Sequence, residues 1–174
     1  MELAAHGIRA VLPDRWEGVI GRRPEAVADA LALAVGQGPG VSGVGALGSP
    51  DEDVRPTVHL ATIALPADRG DFGSGAVDAL GPDDVFVALL EYGPECVGTE
   101  LFAAQGIPRR AARARFNRRG LQNAIDGQAG WQSFFTAAGR AFCLYVVLGR
   151  DHDIAPLVAE VERVLAALTI EPSS

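Results

Sequence analysis

The sequence predicts an α+β domain, a mainly antiparallel sheet of about five to six strands covered by helices on both faces (an α/β/α sandwich). Three observations lead there. Val85–Tyr92 and Ala141–Leu148 are apolar at almost every position, the pattern of strands covered on both sides. Strand-like runs are separated by short turn-forming stretches rather than by helices, which favours antiparallel neighbours over βαβ units. The C-terminal region carries one apolar stripe at helical spacing, which is cover for a sheet face.

Taken in order, Gly7–Leu12 alternates loosely and meets Pro13-Asp14-Arg15. Proline presets φ and aspartate caps its own backbone, so this pair reads as a turn, and Trp16–Arg22 reads as the returning strand of an N-terminal hairpin. Pro24 then opens an alanine-rich helix over Glu25–Val35, with Val27, Leu31 and Val35 on one face. Residues 36–53 hold six glycines and two prolines without an aromatic residue, the composition of a flexible surface loop.

His59–Leu65 reads as a strand ended by Pro66, and Ala76–Leu80 as a short turn or helix after the glycine stretch Gly70–Gly75. Val85–Tyr92 follows as a covered strand. Residues 122–130 are connecting chain, with Gly127 and Gly130 as breakers. Trp131–Thr136 and Ala141–Leu148, joined by Ala137-Ala138-Gly139-Arg140, read as a hairpin whose second strand is the centre of the sheet. Asp151 and Asp153 are offered as N-caps of a last helix, with Pro156 in its first turn and Leu157, Val161, Val164, Leu165 and Leu168 as its stripe. Thr169-Ile170 adds a short edge strand.

The chain of 174 residues suits one globular domain, with 48% hydrophobic and 21% charged residues. Ala141–Leu148 is among its longest apolar runs, far short of the 18 or more residues of a membrane helix, so membrane insertion is not expected. The N-terminus shows Glu2 and no charged-then-apolar leader, which gives a cytoplasmic reading. Cys96 and Cys143 belong to no C-x-x-C pair and read as free thiols. All 15 basic residues are arginine, a bias of GC-rich coding rather than of function.

A net charge of −7 opposes general affinity for nucleic acid or anionic membrane. The charge is uneven, however. Residues 68–100 carry eight acids against Arg69 alone, whereas residues 105–125 carry six arginines and no acid. Arg109, Arg110, Arg113, Arg115, Arg118 and Arg119 would present forked donors to carboxylates or phosphates, or would neutralise the acidic stretch. Phe116 is the single aromatic of that run, so the stacking platform of a single-strand binder is missing. Trp16 and Trp131 join the candidate binding residues as tryptophans that either fill the core or anchor an interface.

Catalytic motifs are not found. His6, His59 and His152 fall in three different elements with no metal-ligand spacing, so no metal site is assigned. The glycines around Ser74 lack the lysine of a phosphate loop and the spacing of a nucleophile elbow, and no dinucleotide fingerprint follows a strand. No cofactor and no catalytic residue is therefore assigned.

Leu12-Pro13-Asp14-Arg15-Trp16-Glu17-Gly18 resembles the opening of Mog1/PsbP-like domains, and the late hairpin, helix and closing strand with Leu168-Thr169-Ile170-Glu171-Pro172 follow in the same order. The whole chain also resembles uncharacterised actinobacterial proteins. The resemblance implies an α/β/α sandwich used to bind partners, and it transfers no functional residue. The sequence thus reads as a non-catalytic protein-interaction or scaffold module that binds another protein or itself, with its surface on the sheet rim or the arginine segment. The alternative is a small-molecule or anion-binding protein with a cleft near the 36–53 loop, and a hydrolase of unseen site comes third.

Overall fold

The computed structural model describes residues 1–24 and 54–173. The expected helix over Glu25–Val35 and the glycine-rich loop over 36–53 lie outside these residues. Among the described residues there are eight strands in two antiparallel sheets and two α-helices.

The larger sheet has five strands: β3 (Glu17–Pro24), β4 (Val54–Ala61), β5 (Val85–Tyr92), β7 (Arg140–Leu148) and β6 (Ala129–Ala137), in that spatial order. The smaller has β1 (Glu2–Ala5), β2 (Ile8–Val11) and β8 (Leu168–Ile170). The helices are α1 (Ser74–Val77) and α2 (Ala155–Ala166).

The expected cover of helices on both faces is overturned. One face of the five-stranded sheet packs Val58, Leu60, Val87, Leu89, Phe142, Leu144 and Val146 against the stripe of α2 and against Ile8, Ala10 and Leu168 of the smaller sheet. On the opposite face, Phe86, Leu90, Tyr92, Cys143 and Tyr145 are covered by the single turn of α1 and by irregular segments carrying Phe72, Phe102 and Leu121. An all-apolar strand demands cover on both sides, but single apolar residues on loops supply it as well as a helix stripe does.

The expected N-terminal hairpin is also corrected. β1 and β2 pair with each other around His6-Gly7, which take left-handed backbone. The Pro13–Arg15 turn instead carries the chain from one sheet into the other, since β2 pairs with β8 and β3 with β4. The strand expected at His59–Leu65 ends at Ala61 and begins at Val54. Neither Asp151 nor Asp153 caps α2; Ile154 holds that position without a side-chain bond, and Pro156 lies in the first turn.

Of the remaining elements some shift. β5 rather than β7 is the central strand, and Gly130, expected as a breaker, lies within β6. The four-residue connection expected at Ala137–Arg140 narrows to two residues, and Leu168, expected on the helix stripe, opens β8. β5 spans Val85–Tyr92 as read. The late hairpin closes with Ala137 opposite Arg140, leaving Ala138 (φ 52°) and Gly139 (φ 73°) as a two-residue turn with positive φ at both positions, the twist hairpins favour. β8 forms an edge. In the glycine stretch, Gly73 has φ 70° and a Cβ there would sit 2.0 Å from the Phe86 ring, so its glycine serves packing.

A buried arginine, paired within the larger sheet, joins it to the smaller one. Arg140 Nε and Nη2 donate to Glu91 Oε1 and Oε2 at 2.9 and 2.6 Å, and both side chains are almost wholly buried. The same guanidinium donates to the carbonyls of His6, Gly7 and Glu171 at 3.0, 3.4 and 3.0 Å. One side chain therefore anchors the β1–β2 turn and the exit of β8 to the larger sheet.

Candidate functional site

The six arginines lie on a strap that straddles β6, one edge of the larger sheet. At the far end of β6 the strap is pinned by Thr136 N–H donating to Ala104 C=O and Gly106 N–H donating to Thr136 C=O, both at 2.8 Å. At the near end Asn117 and Gly130 exchange backbone bonds of 3.1 and 3.0 Å. Asn117 Oδ1 also accepts from Arg119 and Gly120 N–H, which caps a 3₁₀ turn over Arg118–Gly120. Gly120 and Gly130 let the two backbones touch: a Cβ on Gly130 would lie 2.7 Å from Gly120.

Between its pins the strap leaves the sheet edge and rests on α2. Arg109 donates to the carbonyl of Leu165 in the last turn of α2, where free carbonyls favour a cation. Ala111 N–H donates to Glu162 Oε1 at 3.0 Å, and Arg110 lies 3.7 Å from Glu162 Oε2. Phe116 is buried edge-on against Trp131, ring centroids 5.6 Å apart.

All six arginines are exposed, and the strap divides them by role. Arg109 and Arg110 dock the strap on α2, and Arg118 pairs with Asp126 at 2.6 Å. None of these partners belongs to the acidic stretch 68–100, so self-neutralisation of that stretch is not the arrangement observed. Arg113, Arg115 and Arg119 make no ion pair among the described residues.

Two open clefts adjoin the free part of β6. One, of about 770 Å³, is lined by Arg115, Asn117, Arg119, Leu121, Gln132 and Phe134 among others. The second, of about 620 Å³, includes Pro108, Arg110, Arg115, Ser133 and Glu162. Arg115 and Trp131 line both. Trp131 is 4% exposed, and its Nε1–H is buried with no acceptor among the described residues. Trp16 lines neither of these clefts; it is buried, with Nε1 donating to Glu160 Oε2 at 3.4 Å.

Of β6, the sequence points to Trp131 but not to the neighbouring residues that border the clefts. The strand's burial runs from buried ends through three half-exposed residues, Gln132, Ser133 and Phe134. Two polar residues amid aromatic ones, Gln132-Ser133, were the available signal.

Two groups of nucleophile or base type elsewhere, His59 and Cys143, are tied into structure. Arg69 Nε donates to His59 Nδ1 at 2.9 Å, which leaves Nε2–H to donate to Asp71 C=O at 2.6 Å. Burial, with the Arg69 charge adding to it, holds the His59 pKa below the usual histidine value, against the opposing pull of the Asp71 carbonyl. Burial pushes the Cys143 thiol up to about 12. His152 is exposed beside Asp151.

Among the described residues, no cluster of three or more His, Cys, Asp or Glu could hold a metal ion, and no helix is long and apolar enough to cross a membrane. No family model, curated protein or solved structure matches the chain.

Proposed function

We propose that this chain is a non-catalytic protein-interaction module that takes an acidic segment of a partner protein on the strap-and-β6 rim. The observation that carries the reading is the meeting of two clefts at Arg115 and Trp131, with Arg113, Arg115 and Arg119 left without acidic partners there. Guanidinium groups without intramolecular partners bind carboxylates through forked, charge-assisted bonds. Aromatic walls beside them supply area that holds little conformational entropy.

Two expectations of partner are narrowed by charge. A net charge of −7 repels polyanionic nucleic acid at long range, while a short acidic peptide meets only the local arginines. Self-association through this rim would place unpaired arginines against their own copies, which costs affinity.

Selection from a random decapeptide display library tests this reading. The expected result is enrichment of Asp- and Glu-containing peptides, with affinity falling at least about tenfold in Arg113→Ala/Arg115→Ala/Arg119→Ala and falling with added salt. Enrichment without acids, equal binding by the triple variant, or preferential capture of a single-stranded oligonucleotide would overturn it.

A further inference from the structure

Resting on that reading of the rim, we infer that the partner segment binds by adding a short strand to the open part of β6, its backbone pairing with Gln132 and Phe134. The ladder determines which groups are free. Ala137 and Arg140 flank a two-residue turn and therefore form a bonded pair, as do Phe135 with Phe142, Ser133 with Leu144 and Trp131 with Val146. The intervening residues Gly130, Gln132, Phe134 and Thr136 turn their N–H and C=O groups away from β7. Gly130 and Thr136 are taken by the strap. Among the described residues Gln132 and Phe134 have no backbone partner on that side, so two donors and two acceptors line an open edge.

The opening has a defined length. Gly130 to Thr136 spans about 20 Å at roughly 3.3 Å per residue, and with the strap pinned at both ends there is room for about four extended residues. Both ends are closed, so a longer chain must turn off the sheet on either side of the paired part. The strap could have shielded the whole edge, as sheet edges usually are. Instead it lifts onto α2 and leaves the centre bare.

The flanking clefts fit an extended chain. Successive side chains of an added strand alternate between faces. One set enters the cleft beside Gln132 and Phe134, and the other enters the cleft beside Trp131 and Ser133. Arg115 borders both, with Arg119 on one and Arg110 on the other, so acidic side chains find a cation on either face. Main-chain bonds give such binding its affinity, and the alternate pockets give it specificity.

The test uses a capped octapeptide of alternating glutamate and valine, and versions N-methylated at one position each. N-methylation removes a single backbone donor and keeps every side chain. Strand addition predicts a loss of about 3–10-fold at alternate positions in the central four residues, with little change between them. Gln132→Pro removes one outward N–H and no bond to β7, as proline is tolerated on a free edge, and should weaken binding similarly, while Gln132→Ala retains it. In the free protein the Gln132 and Phe134 amides should exchange rapidly with solvent and become protected when the peptide binds.

Binding of the parent peptide with no alternation in the N-methyl series, or without protection of those two amides, would overturn strand addition and leave the acidic-segment reading standing. Equal binding of a lysine–valine octapeptide would instead overturn the acidic-segment reading itself. Should Gln132→Pro unfold, the N-methyl series and amide exchange decide alone.

Discussion

Arg140 holds two sheets together because its guanidinium has five donors in a rigid fork and the fold brings five acceptors to it. Removing the carboxylate alone strands that charge in a buried site. Glu91→Ala should therefore cost about 3–5 kcal/mol, read as a lower urea midpoint with an unchanged slope. A loss below about 1 kcal/mol, the range of an exposed pair, would contradict the buried role given to Glu91. His59 gives a second prediction. Its folded pKa lies below the unfolded value, so between the two the unfolded state binds the extra proton. The stability it contributes is present above about pH 6.5, the unfolded value, and is lost as pH falls through the folded one. Urea midpoints should drop over that window and do so less steeply in His59→Gln; identical slopes would show that His59 is not the titrating group.

At the scale of elements, β6 and its strap depend on a close approach of backbone at Gly120 and Gly130. Gly130→Val should push the near pin off the sheet, costing about 1–3 kcal/mol and speeding exchange of the Gly120 and Leu121 amides. Unchanged exchange there would mean that the strap is held elsewhere. The late hairpin was legible in the residues because two aromatic-rich runs bracket a glycine-containing connection, but that connection is two residues, Ala138-Gly139, rather than the four read from the sequence. α2 was legible from its stripe. What covered the second face was not, since loop residues such as Phe72, Phe102 and Leu121 show no periodicity to read. The arginine run was visible as charge. Its placement was not, because the Asn117–Gly130 pairing and the docking of Arg109 on Leu165 join residues distant in sequence. The Pro13–Arg15 turn misled for a related reason: its chemistry specifies a reversal, and only the partners of β2 and β3 decide that the reversal changes sheets.

For the whole molecule, an acidic chain presents an arginine-bearing rim along β6. The strap is anchored by Arg109, Arg110 and Arg118, leaving Arg113, Arg115 and Arg119 exposed, and substituting these three by alanine should change stability by no more than about 0.5 kcal/mol each while weakening acidic-peptide binding. A large drop in Tm for that triple variant would reassign them to folding. The most direct measurement is a titration of isotopically labelled protein with the capped glutamate–valine octapeptide, followed at every backbone amide. The predicted result is a contiguous set of perturbed amides at Gln132, Ser133, Phe134, Arg115 and Arg119, with β1, β2 and β8 unmoved. Perturbations that leave β6 and the strap untouched while appearing at the smaller sheet would contradict the placement of the binding surface.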